Sequence, residues 1–163
     1  MSCPMYNKFI WIFIFFSGFC AGQEDYEAEV LRTYQENIKK EKINDVYIPK
    51  DIYDAFGILD RLSTREGRDR LIQGEEEIIR KTLVHGLGKW MIVNWNFYEG
   101  SRLSHHLKEF GVTLPDDMAE YLIISYYRYL KGLPLELEER GQLMHQKRKK
   151  EQEERNQSKI VIN

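Results

Sequence analysis

The sequence predicts an all-α fold: a single compact domain of five to seven helices with charged helical extensions at both ends. Three observations lead to that reading. Apolar residues recur three and four positions apart through most of the chain after residue 25. Glycines that stop helices, and serines, aspartates and prolines that start them, punctuate those runs. No stretch alternates apolar and polar residues over the length of a strand. With 163 residues, 42% of them hydrophobic and 31% charged, the chain has the composition of one folded domain and not of a disordered one. It contains no internal repeat and no low-complexity linker.

Residues 1–22 read as a signal peptide. Lys8 is the one charge before the apolar run Ile10–Phe16, and Ser17–Gly22 turns small and polar. The run is shorter than the roughly 20 residues that cross a bilayer. Cleavage after Gly22 places Cys20 at −3 and starts the mature chain at Gln23, whose amine can cyclise to pyroglutamate. A lipid on Cys20 is the alternative, but the residue before a lipidated cysteine is normally small and here it is Phe19. Simple cleavage is therefore favoured. The expected location is exported, periplasmic or extracellular, with membrane contact only through the signal or a lipid on Cys20. Cys3 and Cys20 are the only cysteines. The expected mature domain thus has no disulfide, no Cys-ligated metal and no Cys nucleophile.

Three segments follow. Residues 23–48 form an N-terminal charged helix, with Tyr26, Val30, Tyr34 and Ile38 four apart on one stripe over 26–42. Asn44–Pro49 breaks it. Residues 49–133 are the core domain. Ile52, Ala55, Phe56, Leu59 and Leu62 make its first stripe; Ser63 and Glu66 have capping-box spacing for a helix to about Ile72 that Gly74 ends. Glu75–Glu77 suits the positive end of the next helix, whose buried face is Ile79, Leu83, Leu87 and Trp90. Gly86 and Gly88 lie within that pattern, which implies a close neighbour or a bend. Ser101 caps the stripe Leu103, Leu107, Phe110, and Gly111 stops it. Asp116 caps a helix carrying Met118, Leu122, Ser125 and Tyr129 on one face, and Gly132 ends that one. Residues 134–163 are a charged C-terminal helix and tail: Pro134 opens a helix to about Asn156, and Ser158–Asn163 frays.

Charge excludes one class of function. Lys+Arg is 24 and Asp+Glu 26, a net charge of −2, against the basic surplus of a nucleic-acid binder. The Lys147–Lys150 run is balanced by Glu151, Glu153 and Glu154, as on a solvated, salt-bridged helix.

From Pro49 to Gly132 several segments recur in a set order: His85-Gly-Leu-Gly-Lys-Trp90, Asn94-Trp95, Gly100-Ser101-Arg102-Leu103, Gly111, Pro115-Asp116-Asp117-Met118, and Ser125-Tyr126-Tyr127-Arg128-Tyr129-Leu130-Lys131-Gly132. This pattern resembles a bacterial domain family of unknown function. The family usually reads G-x-W-I-R-N-N-W-x-L-W before G-S-R-L. Here Ile92 and Val93 stand for its Arg and first Asn, and Tyr98 for its last Trp. The resemblance implies a small exported or cell-associated bacterial protein and supplies no mechanism.

The candidate cluster is His85, Trp90, Asn94, Trp95, Arg102, Asp116, Asp117, Ser125 and Arg128. Read functionally, Trp90 and Trp95 wall a pocket, Arg102 or Arg128 binds an anion, and His85 or an Asp acts as base. Read structurally, the aspartates cap a helix, the arginines tie loops, and Asn94 satisfies backbone where a helix ends. The structural reading comes first. No metal or cofactor is expected: His105 and His106 are adjacent and point about 100° apart on a helix. Tyr121, Tyr126, Tyr127 and Tyr129 share one helix, as core residues or as a partner surface. The favoured function is a non-catalytic binding or interaction module of the bacterial envelope, with a protein partner or small ligand there. The alternative is an envelope hydrolase or small-anion-binding domain using the Arg/Asp/His cluster.

Overall fold

The computed structural model describes residues 25–161. The segment read as a signal peptide, with its cleavage site and Cys20, lies outside the described residues.

Residues 25–37 form helix α1, whose apolar stripe stays on the surface: Tyr26, Val30 and Leu31 are exposed and only Asn37 is buried. The helix stops short of the expected 42 because a hairpin intervenes. Strands β1 (Lys42–Ile43) and β2 (Val46–Tyr47) pair antiparallel, with Lys42 opposite Tyr47 and Ile43 opposite Val46. Asn44 and Asp45 take φ of 50° and 62°, the left-handed pair that a two-residue hairpin turn requires. Strands of two residues leave no period in a sequence, so the pattern hid them.

Helix α2 (Ile52–Leu62) buries Ile52, Ala55, Phe56 and Leu59, and Asp51 caps it through the Asp54 N–H. Helix α3 (Arg65–Gln73) is capped by Thr64, one residue beyond the expected Ser63. The Ser63 hydroxyl is already committed to the Leu59 carbonyl at 2.7 Å, closing α2. Helix α4 (Glu76–Leu83) carries Glu76 and Glu77 in its first turn and runs into a wide π-turn at Val84–Gly88, then α5 (Lys89–Asn94). Gly88 explains one of the two glycines there: a Cβ would stand 3.4 Å from that of Ala119 on the central helix. Gly86 has no neighbour within 4 Å, so only the π-turn distinguishes its position.

Helix α6 (Arg102–Glu109) starts at a capping box between Ser101 and Ser104, as expected of Ser101. Helix α7 (Pro115–Leu130) is the axis of the domain. It contacts α3, α4, the π-turn, α5, α6 and the last helix. Pro115 occupies its first turn and Leu114 its N-cap position, so Asp116 sits inside the helix and is not its cap. Around α7 packs a core of Phe56, Met91, Trp95, Leu103, Leu107, Met118, Leu122 and Ile123. The fold is thus all-α, one compact domain with a small two-stranded sheet added.

Helix α8 spans Leu137–Val161. It starts three residues after Pro134, past Glu136 with φ 48°, and extends beyond Asn156 into the segment expected to fray. Between Leu137 and Ser158 Gly141 is the one buried residue, placed against the Phe110 carbonyl, where any side chain would collide.

Candidate functional site

Most polar residues of the cluster, Asp117, Arg102, Arg128, Asn94 and Ser125, end in bonds or ion pairs within the fold. Asp117 is buried near the start of α7, and Arg148 of α8 grips its carboxylate with two bonds, Nε to Oδ2 at 2.8 Å and Nη2 to Oδ1 at 2.5 Å. Glu151 holds the far side of the same guanidinium at 2.9 Å. The Asp117 bonds, joined by Glu151, hold the Arg148 pKa above the usual arginine value. Arg102 donates Nε and Nη2 to the Ile48 carbonyl at 2.8 and 2.6 Å and lies over the Tyr47 ring, 5.0 Å from its centroid. Tyr47 in turn donates to Asp54 at 2.8 Å. Burial pushes the Asp54 carboxyl up, but the Lys50 N–H, the Tyr47 hydroxyl and the Arg102 charge together outweigh it and leave its pKa lowered. Arg102 therefore pins the hairpin's exit onto α2 and α6.

Arg128, near the end of α7, pairs with Glu136 at 2.9 Å and stands 3.9 Å from Glu76, while its buried Nε has no hydrogen-bond partner among the described residues. Asn94 donates to the Trp90 carbonyl at 2.8 Å, closing α5 as the structural reading expected. Trp95 is buried, whereas Trp90, expected on a buried face, is 36% exposed; the two meet edge to face, with centroids 5.5 Å apart. Ser125 is buried and donates to the Tyr121 carbonyl at 2.7 Å. Asp116 and His85 are exposed, and neither has a side-chain bond among the described residues. His85, Arg102 and Asp117 do not converge. Each lies on a different element, and the groove beside Asp117 includes neither of the others.

The aromatic residues are arranged differently. Phe56 of α2, itself buried, carries Tyr53 edge to face at 5.9 Å and Tyr129 stacked at 4.9 Å. Tyr126 stacks on Tyr129 at 6.4 Å and donates its hydroxyl to Asp60 at 2.8 Å. Burial, with Asp60 adding to it, pushes the Tyr126 pKa up to about 12. Tyr53 is 62% exposed and Tyr129 45%. Two tyrosine rings are thus presented to solvent from a rigid aromatic base. Tyr121 and Tyr127 face inward, donating to the Leu137 and Gly74 carbonyls.

Sequence reasoning paired Tyr126 with Tyr129 and missed Tyr53, although the Tyr53–Phe56 spacing of three on α2 was a signal. It also missed Arg140 and Arg148 of the charged C-terminal helix, the second of them in the run read as solvated. The one sign of them was two arginines at an eight-residue interval, in register with the buried Gly141 and Met144 side of α8.

The family described as "Domain of unknown function (DUF6794)" matches residues 48–130, the span from the end of the hairpin to the end of α7. Neither a curated protein nor a solved structure matches the chain.

Proposed function

This chain belongs to the family DUF6794, defined by its domain and not by an activity, and from that premise we propose that it is a non-catalytic binding module of the bacterial envelope that holds a protein partner on its tyrosine face. One observation carries the reading. Tyr53 and Tyr129 are exposed, yet both are braced on the buried Phe56. A ring already held in place loses little entropy on binding and brings a large apolar area with a polar tip, the properties that concentrate binding energy at tyrosines in interfaces. The polar residues support the same side of the choice. Asp117, Arg102 and Arg128 work as struts, and a strut is a poor acid, base or anion clamp. The envelope location rests on the signal-like residues 1–22.

The test places a photo-crosslinking aromatic residue at position 53 or 129 of the full chain in its native cells. A third version carries it at exposed Glu153 on α8. The expected result is one discrete protein adduct from positions 53 and 129 that position 153 does not give. Tyr53→Ala should weaken binding of that partner by about 1–2 kcal/mol. Loss of the adduct from both tyrosine positions, or an equal adduct from position 153, would overturn the reading.

A further inference from the structure

A groove of about 270 Å³ runs between α4, α7 and α8, away from the tyrosine face. Among the described residues two cations of its lining form no ion pair, Lys147, which is exposed to water, and Arg140, which is half-buried. Arg80 meets Glu77 and Glu120, and Arg148 meets Asp117 and Glu151. Arg140 forms no ion pair among the described residues. Its Nη1 donates to two neutral oxygens, Ser125 Oγ at 3.0 Å and the Leu135 carbonyl at 3.2 Å, and the Tyr121 ring lies 5.0 Å from the guanidinium carbon. Burial holds its pKa below the usual arginine value; the Arg128 charge adds to that, and Glu76 and Glu136 act against it. A half-buried guanidinium in such a setting gains from a counter-ion.

The bonds on Nη1 fix the plane of the group and leave one edge over. Nε and Nη2 have no protein acceptor among the described residues. Those two nitrogens form the side-on fork that matches the two oxygens of a carboxylate or of a phosphate. The rest of the lining separates these ligands. Ile124, Leu143 and Met144 are apolar and suit an aliphatic chain, which a carboxylate can carry and inorganic phosphate cannot. The exposed Lys147 and the Glu76 and Glu120 carboxylates in the same lining oppose one another and leave Arg140 as the half-buried charge to be matched. The volume is below the roughly 300–1,000 Å³ of pockets for drug-sized ligands.

We propose that this groove binds a small aliphatic monocarboxylate, its oxygens on the Nε/Nη2 edge of Arg140 and its chain against Leu143 and Met144. Arg140 lies outside the family span of residues 48–130, while the Ser125 and Tyr121 that position it lie inside. The site is independent of the tyrosine face, so failure of either reading leaves the other standing.

The test is a methyl- and amide-detected NMR titration of the full chain with hexanoate. Inorganic phosphate, 1-hexanol and a tripeptide ending in a leucine carboxylate are run beside it. The expected result is saturable shifts at Ile124, Leu143 and Met144 with hexanoate, and weaker binding of the other three. Arg140→Lys keeps the charge and removes the fork. It should weaken hexanoate about tenfold, the loss of one charge-assisted hydrogen bond. Leu143→Glu, at a position 58% exposed where the fold tolerates change, should abolish binding and serves if Arg140→Lys does not fold. Absence of saturation with hexanoate, equal binding of phosphate or hexanol, or full binding by Leu143→Glu would overturn the proposal. So would tighter binding of the tripeptide, which would assign the groove to a peptide terminus instead.

Discussion

Between Asp117 and Tyr127, α7 buries every residue except Glu120, whereas α8 buries only Gly141 from Leu137 to Ser158. Both are regular helices, yet their support differs in kind. Helix α7 is buried on nearly all sides, mostly through apolar and aromatic residues, and stands where α3, α4, α5, α6 and α8 meet, so apolar burial is the main term that sets its place. Helix α8 buries little apolar surface, chiefly Leu137 and Met144, which pack part-buried on the core. It is attached at points: Gly141 against Phe110, the Leu137 carbonyl on the Tyr121 hydroxyl, Arg140 on Ser125 and Arg148 on Asp117. A helix held by area should lose stability through cavities, and a helix held by points through single polar groups.

The largest effect tests the first half of that contrast. Leu122→Ala on α7 should cost about 2–5 kcal/mol, as expected for a fully buried leucine. Leu143→Ala on α8, mostly exposed, should stay within about 0.5 kcal/mol. Denaturant unfolding of both variants measures it, and similar costs at the two leucines would break the comparison.

Next comes the Asp117–Arg148 clasp. Asp117→Ala and Arg148→Ala should each cost about 1–3 kcal/mol, the range for hydrogen bonds to charged groups. A fully buried pair would cost more, but the Arg148 side chain is 40% exposed and water screens it. A double-mutant cycle should return a coupling of about 1–2 kcal/mol. Strictly additive losses would mean that the two residues act separately, and α8 would need another anchor.

The same contrast marks what the sequence made legible. Ile52, Ala55, Phe56 and Leu59, and Met118, Leu122 and Ser125, are buried as the helical period requires, because burial by area leaves a periodic trace, while Leu62 and Tyr129, the last members of the two expected stripes, are exposed where their helices end. Caps are read less sharply: Ser101 stands where expected, while Ser63 and Thr64 compete and the choice depends on which hydroxyl the previous helix already uses. The two-residue strands leave no trace at all. Of the signature residues, Arg102 and Asp117 tie distant chain segments together and Asn94 closes its own helix, but they lie on separate elements and do not form one site. Their partners were much harder to read. Arg148 and Arg140 reach α7 from 31 and 15 residues away in the chain, and only their shared side of α8 with Gly141 and Met144 sets them apart from the solvated charges beside them.

Alkaline pH isolates one attachment point. Burial pushes the Tyr121 pKa from 10.0 up to about 12. The folded state keeps that proton where the unfolded chain gives it up. The tyrosine's contribution is therefore fully present below pH 10.0 and is lost as pH rises toward about 12. Tyr121→Phe should cost about 1 kcal/mol at neutral pH through the lost bond to Leu137, and should flatten part of the stability loss across that window. Unfolding midpoints of the two proteins that fall in parallel from pH 9 to 12 would show that other groups govern alkaline unfolding.

The smallest effect lies within α8 itself, one and two residues beyond the clasp. Lys149 and Lys150 are exposed, and Lys150 stands 3.9 Å from Glu154, a pair open to water at both ends. Such pairs gain little because water screens them and two long side chains must be ordered. Lys149→Ala and Lys150→Ala should each change stability by less than about 0.5 kcal/mol, with Ala's higher helix propensity offsetting any lost attraction. Arg148→Ala, next in the chain, should cost several times more. Equal small effects at 148, 149 and 150 would make the whole distal helix a solvated extension and reduce its attachment to Gly141, Tyr121 and Arg140. A steep drop at 148 alone would show that one residue in a uniformly charged run decides where α8 lies.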